Sequence, residues 1–312
     1  MRTLVAALRA ASPRHCEDTV TAILDAGFDG IAVEEPLHQP TWKALTSCLP
    51  RERALAIRLF VPYPRTTHAS ERSDVLLGES GGDAVQRAVR RGIETLESAD
   101  RLGIPRVLVP TVQLDLAGAP RGFSPATSPN DVDRRLRNER DAEVSSRMSA
   151  YLSTLSRLLD HAERFALRLC LTPSNRVAEM PSVAETRTVL EEFDGAPLGV
   201  WLDTTRWPAE HLAVPIIGDV SGNDDGVGLD SVDGVSIHDA RGTREHLEIG
   251  SGEIDWPLLT SSIRSHTIGC LDVEEARDAE DFARGLEALR EIAKDRDSDD
   301  ETGADGILGI PS

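Results

Sequence analysis

"TLVAALRAASPRHCEDTVTAILDAGFDGIAVEE", Thr3 to Glu35, holds two short apolar runs with a helical pattern between them. The runs "TLVAAL" and "GIAVEE" are nearly continuous in apolar residues, as strands covered on both faces are. Between them, Ser12-Pro13 reads as an N-cap followed by a proline in the first turn. Val20, Ile23 and Leu24 fall on one side of that helix, and Gly27 stands just past its end. Strand, crossover helix and second strand together make a unit of a parallel sheet.

Working outward, six further runs of the same kind follow: "LAIRLFV" (55–61), "RVLVPT" (106–111), "LRLCLT" (167–172), "LGVWLDT" (198–204), "GVSIHD" (234–239) and "GCLDVEE" (269–275). Helical patterns separate them. The clearest puts Met148, Tyr151, Leu152, Leu155, Leu158, Leu159, Ala162 and Phe165 on one stripe at steps of three and four. Ser182 to Glu185 forms a capping box that opens the next helix, and Phe282, Leu286, Leu289 and Ala293 mark the last. Eight strand-then-helix units are the number that closes a (β/α)8 TIM barrel, an α/β fold. The expected organisation is a single barrel domain over residues 1–294 and an acidic disordered tail over 295–312. Two long loops, 61–79 and 113–141, are expected on the active-site face as candidate lids or solvated insertions, with a mobile Gly/Asp-rich segment at 218–230.

The 312 residues carry 40% hydrophobic side chains, and no apolar run approaches the roughly 20 residues of a membrane span. Mean hydropathy is -0.26. A water-soluble protein is expected, with no membrane partner. Cys16, Cys48, Cys170 and Cys270 are widely spaced and match neither a disulfide framework nor a zinc-finger pattern, which fits the cytoplasm. The net charge of -19 would repel nucleic acid, so none is expected as a partner. Only Lys43 and Lys294 are lysines among 34 basic residues. Halophilic adaptation to high salt, giving an acidic proteome, is the expected account of that balance, with a high-GC codon bias as the competing one.

A barrel of this kind works at the C-terminal ends of its strands. At the last four ends stand Thr172, Asp203, His238 with Asp239, and Glu274. Carboxylates and an imidazole converging there suit a divalent metal: Mn²⁺, Mg²⁺ or Zn²⁺.

The stretches "AGFDGIAVEEP", "IETLESADRLGIPRVLVPT", "LGVWLDTTRW", "HLEIGSGEIDW" and "IGCLDVEEARD", in this order and spacing, resemble the xylose isomerase-like TIM-barrel superfamily of sugar phosphate isomerases, epimerases and endonuclease IV. The resemblance runs over roughly residues 3 to 293. It implies one divalent cation held by a Glu, an Asp, a His and a Glu ending strands five to eight. In the epimerases the two glutamates also remove and return a proton on opposite faces of the sugar. Asp203 and Glu274 fall at the Asp and second Glu positions, whereas Thr172 and Ser236 replace the first Glu and the His. His238, two residues on from Ser236, shares its strand face and is the candidate substitute. Arg206 stands where a second His is common, and Glu34 is nearest the carboxylate ending strand two. His246, Gly250 and Gly252 match the family loop H-x-x-x-G-x-G. Its glycines serve either close approach of backbone N–H groups to a ligand or a tight turn.

The resulting expectation is a metal-assisted isomerase or epimerase of a small sugar, sugar phosphate or related hydroxy-carbonyl compound, as a monomer or homo-oligomer, with a degenerate metal site. Asp203, His238 and Glu274 would hold the cation. Glu274 and His246 would be the catalytic groups, and Arg206, Arg241, Trp207 and Glu34 would contact substrate. The alternative is a catalytically inactive binding or regulatory barrel in which Arg206 replaces the metal. Abasic-site DNA cleavage is disfavoured by the missing ligands and the acidic surface.

Overall fold

The computed structural model describes residues 3–8, 13–33, 39–50, 53–58, 82–116, 134–174, 176–204, 232–241, 244–256, 259, 266–273 and 278–302. In chain order the first half forms β1 (Thr3–Leu8), α1 (Pro13–Asp25), β2 (Gly30–Val33), α2 (Gln39–Cys48), β3 (Ala54–Arg58), α3 (Gly82–Leu102), β4 (Arg106–Val109), β5 (Val112–Gln113) and α4 (Arg134–Arg164). There follow β6 (Arg168–Leu171), β7 (Glu179–Met180), α5 (Val183–Glu192), β8 (Leu198–Asp203), β9 (Val232–Ile237), β10 (Asp239–Arg241), β11 (Arg244–Leu247), β12 (Ile268–Leu271) and α6 (Ala279–Thr302). Strands β1, β2, β3, β4, β6, β8, β9 and β12 pair in parallel in that order, and β12 returns to β1 to close the barrel. These are the eight apolar runs of the sequence. The short antiparallel pairs β5–β7 and β10–β11 lie in connections that leave the C-terminal ends of barrel strands.

Alternate residues along each strand face opposite ways, and that period sorts the chain into two cores. One lies between barrel and helices: Leu4, Ala6 and Leu8 of β1 and Val107 and Val109 of β4 meet Val20, Ile23, Leu158 and Leu286 from the helices. The other fills the barrel, with Val5, Ala7, Ala32, Ala56, Cys170 and Cys270 around the larger Leu108, Ile268 and Trp201. The small side chains leave space for one indole. Trp201 is fully buried, its Nε1 donates to Ser236 Oγ at 3.0 Å, and a β-carbon at Gly234 would overlap its ring. Burying a side chain of that size contributes roughly 5 kcal/mol.

Beneath the indole the register of β8 against β9 slips by one residue, so that Val200 pairs with Val232 but Trp201 with Gly234. The extra residue, Asp233, accepts a hydrogen bond from Arg168 Nε at 2.7 Å and lies 3.5 Å from Arg106 Nε. This ionic layer closes the N-terminal end of the barrel. Burial, with Asp233 adding to it, pushes the Cys170 thiol well above its usual range.

Helix α4 begins at Arg134, inside the stretch that reads in the sequence as a loop to 141. Its first half shows no apolar stripe because it is held by ions instead. The buried Arg140 donates to Glu185 Oε1 and Oε2 at 2.5 and 3.1 Å and to the Glu179 carbonyl at 3.2 Å. Glu185 also completes the Ser182 capping box that opens α5. In the second half Tyr151, Leu155, Leu158, Leu159 and Ala162 are buried, while Met148, Leu152 and Phe165 pack partly buried against the same core. Helix α6 continues past Asp295 to Thr302. The sequence-derived loops at 61–79 and 218–230 and the tail beyond 302 lie outside the described residues. Among the described residues no helix is long and apolar enough to cross a membrane.

Candidate active site

The interior period runs on past the strand ends. From Cys170 it leads to Thr172, from Trp201 to Asp203, from Ser236 to His238 and from Cys270 to Asp272. Thr172 is buried, and its hydroxyl donates to the Val109 carbonyl at 2.8 Å. Ser236 is likewise committed below, to Trp201. Among the described residues the mouth is therefore lined by Asp203, His238 and Asp272 and by His246, which the β10–β11 hairpin brings over them.

His238 is fully buried. Its backbone N–H donates to Thr204 Oγ1 at 3.1 Å, and the same hydroxyl donates to the His238 carbonyl at 2.6 Å, so residue 238 is fixed against the end of β8. The ring is held between two carboxylates: Nε2 is 3.3 Å from Asp203 Oδ1 and Nδ1 is 3.9 Å from Asp272 Oδ2. Asp272 continues the β12–β9 ladder by donating its N–H to the Ile237 carbonyl at 3.0 Å. His246 places Nδ1 3.1 Å from the Asp272 carbonyl oxygen and 3.4 Å from its Oδ2. Its ring centroid is 4.1 Å from that of His238, with the planes inclined by 49°. His246 achieves this with φ at 57°, in the left-handed region that side chains other than glycine rarely enter.

One ligand atom each from His238, His246 and Asp272 lies within 4.8 Å of the others. Two imidazoles and a carboxylate form the N/O donor set that Zn²⁺ and Mn²⁺ accept, with open positions for an oxygen of another molecule. The residues present therefore fit a divalent cation.

Asp239, also at this strand end, does something else. Its Oδ1 accepts from the N–H groups of Ala240 and Ile254 at 2.8 and 3.2 Å, and its Oδ2 from Gly250 N–H and Trp256 Nε1 at 2.9 and 3.2 Å. Four donors on a buried carboxylate make it the organiser of the 248–256 turn. Gly250 is needed there for its φ of 83°, and Gly252 because a β-carbon would overlap Asp239 Oδ1 and the Ala240 carbonyl. Both glycines serve the turn, and the Gly250 N–H is donated inward. Arg241 is exposed and donates to the Ser251 carbonyl.

Of the residues singled out by sequence, Asp203, His238 and His246 are brought together. Glu274, Arg206, Trp207 and Glu34 lie outside the described residues. Asp272 is a site residue that the sequence reading misses. The signal for it is the strand period: "GCLDVEE" puts Cys270, Asp272 and Glu274 on one face.

A model of the family described as xylose isomerase-like TIM barrel matches residues 20–292. No curated protein matches the sequence. Among solved structures, L-ribulose 3-epimerase superposes with a TM-score of 0.64 at 14% identity, covering 99% of this chain and 100% of that one. A D-tagatose 3-epimerase-like protein gives 0.61 at 16% identity, over 95% of this chain and 99% of that one. Endonuclease IV from Thermus thermophilus gives 0.56 at 17% identity, over 94% of this chain and 99% of that one. At these identities the likeness carries the fold alone.

Proposed function

The chain belongs to the xylose isomerase-like TIM-barrel family, and from that premise we propose that it is a metal-assisted isomerase of a small sugar or related hydroxy-carbonyl compound. The observation that carries this reading is the convergence of His238, His246 and Asp272 at the C-terminal mouth, with Asp203 against His238. The family's sugar epimerases supply the substrate class.

His238 and His246 serve best as cation ligands, because each has its second ring nitrogen held. In the tautomer that donates Nδ1–H of His246 to the Asp272 carbonyl, Nε2 keeps the lone pair for a cation. Asp203 takes the Nε2–H of His238, which leaves Nδ1 facing Asp272. Asp272 supplies the carboxylate ligand, and Asp203 orients His238. His246, grouped with the catalytic residues on sequence, is better used as a ligand because its ring lies against Asp272. A divalent cation there would polarise a bound carbonyl and acidify the neighbouring C–H bond.

Glu274, two residues on from Asp272, is the carboxylate that removes and returns that proton. Thr172 cannot act from the opposite side, since its hydroxyl is neutral and donated to the Val109 carbonyl. Among the described strand ends position 172 thus offers no second base, and a proton that Glu274 alone takes and returns stays on one face. That favours isomerisation, with return to the adjacent carbon, over an epimerisation that needs a second base. Arg206, Trp207 and Glu34 are the candidates for substrate contacts, Arg241 being engaged by Ser251.

Metal content by mass spectrometry, after loading with Zn²⁺ or Mn²⁺, tests the first half of the proposal. About one equivalent per chain is expected, lost in Asp272→Ala and retained more weakly in Asp203→Ala. Incubation of the loaded protein with a panel of aldoses and ketoses in D₂O tests the second, with deuterium entering the carbon next to the carbonyl. No metal at any loading, or no exchange across the panel, would sink the reading.

A further inference from the structure

His246 holds its place over Asp272 in a left-handed backbone conformation, on a hairpin that among the described residues pairs at Asp239 with Leu247 and Arg241 with Arg244, with an irregularity between them. A two-stranded ribbon of that length does not hold a strained residue unaided. Support comes from the neighbouring connection. The Arg176 guanidinium donates to Glu245, the residue preceding His246, and lies 3.4 Å from Glu179 Oε1 on β7. All three side chains are largely withdrawn from solvent, at 17%, 21% and 10% exposed for Arg176, Glu245 and Glu179. The Glu179 backbone carbonyl in turn accepts from Arg140, which is bound to Glu185 at the start of α5. A line of three ion pairs and one hydrogen bond to the Glu179 backbone thus runs from α4 and α5 through β7 to the residue beside His246.

We propose that Arg176 is the positioning residue of the site, a strut between the connection following β6 and the β10–β11 hairpin that keeps the His246 imidazole on Asp272. This rests on the reading of the mouth as a cation site for its purpose, but not for its geometry. Arginine suits the task because its planar fork can bind two carboxylates at once in fixed directions, which a lysine ammonium does not. The strut acts through Glu245, the Arg176 guanidinium meeting Glu245 and Glu179.

The experiment compares wild type, Arg176→Met, Glu245→Gln and Arg176→Lys, with Arg187→Met as a control that removes an arginine paired on the exposed face of α5. Two readouts are taken: the ¹⁵N shifts of the His246 ring in metal-free protein, and Zn²⁺ affinity against a competing chelator. Arg176→Met and Glu245→Gln are each expected to shift the His246 ring signals and to weaken Zn²⁺ binding on the order of 10- to 100-fold. Arg176→Lys should restore affinity in part, and Arg187→Met should change neither readout. If Arg176→Met does not fold, Glu245→Gln, which leaves Arg176 with Glu179, carries the same test. Unchanged His246 signals in a folded Arg176→Met or Glu245→Gln protein overturn the proposal. If wild type binds no Zn²⁺ while the ring signals still move, the strut stands and the cation reading falls.

Discussion

Asp239→Asn separates a carboxylate that builds the mouth from one that would hold a ligand. The side chain is buried and accepts four hydrogen bonds, two on each oxygen. Asparagine keeps one oxygen and replaces the other with an NH₂ group. Whichever way it turns, two N–H donors lose their acceptor and face another donor: either Ala240 and Ile254, or Gly250 and Trp256. A hydrogen bond to a charged group is worth about 1.5–3 kcal/mol, so the gross loss is about 3–6 kcal/mol. Removing a buried charge returns part of that, so the net destabilisation is about 2–4 kcal/mol. In a domain of this size that lowers Tm by roughly 3–6 °C. Urea unfolding and calorimetry measure it, with Zn²⁺ titration of the folded fraction alongside. A loss below about 1 kcal/mol, accompanied by abolished metal binding, would show that Asp239 is a ligand and the argument wrong.

Trp201→Ala should cost about 3–5 kcal/mol through the cavity left in the barrel, and Gly234→Ala should destabilise wild type but much less in the Trp201→Ala background, which denaturant midpoints of the four proteins will test. Ser236→Ala leaves the buried Trp201 Nε1 without its acceptor and should cost about 1–3 kcal/mol while leaving Zn²⁺ affinity unchanged; weakened binding would return residue 236 to the site. Burial, with Cys48 beside it, pushes the Cys16 thiol up from 9.0 to about 12, so the folded protein keeps a proton that the unfolded chain releases. Stability from this source is whole below pH 9.0 and falls as pH rises toward 12; Cys16→Ala should make the alkaline unfolding curve shallower by about one proton.

What can be read in the sequence follows from which forces repeat along the chain. Strands buried on both faces announce themselves as apolar runs, and the α4 stripe and the Ser182 capping box are local patterns of the same kind. The first half of α4 is hidden because Arg140 secures it to Glu185, a partner 45 residues away that no local window contains. Asp239 resembles a ligand in the sequence for a similar reason, three of its four donors lying on a turn 11 to 17 residues on. Only Gly250 and Gly252 hint at it. Asp272 is legible in principle, by counting inward positions along β12 from Cys270, but the family pattern points past it to the carboxylate of Glu274.

The same counting explains why the imidazole of this site stands at residue 238. An interior in which Ala7, Ala32, Ala56, Cys170, Cys270 and Gly234 are small admits Trp201, and an indole N–H buried that deeply requires an acceptor. Ser236 is the acceptor, so position 236 belongs to the floor of the mouth and is closed to a histidine ligand. The next inward position on the same chain is 238, one layer higher, where the ring meets Asp203 and Asp272 instead of the indole. Among the described residues the barrel strands bring no second imidazole to that layer. The hairpin after β9 provides it in His246, at the cost of a strained backbone and of a strut to hold it.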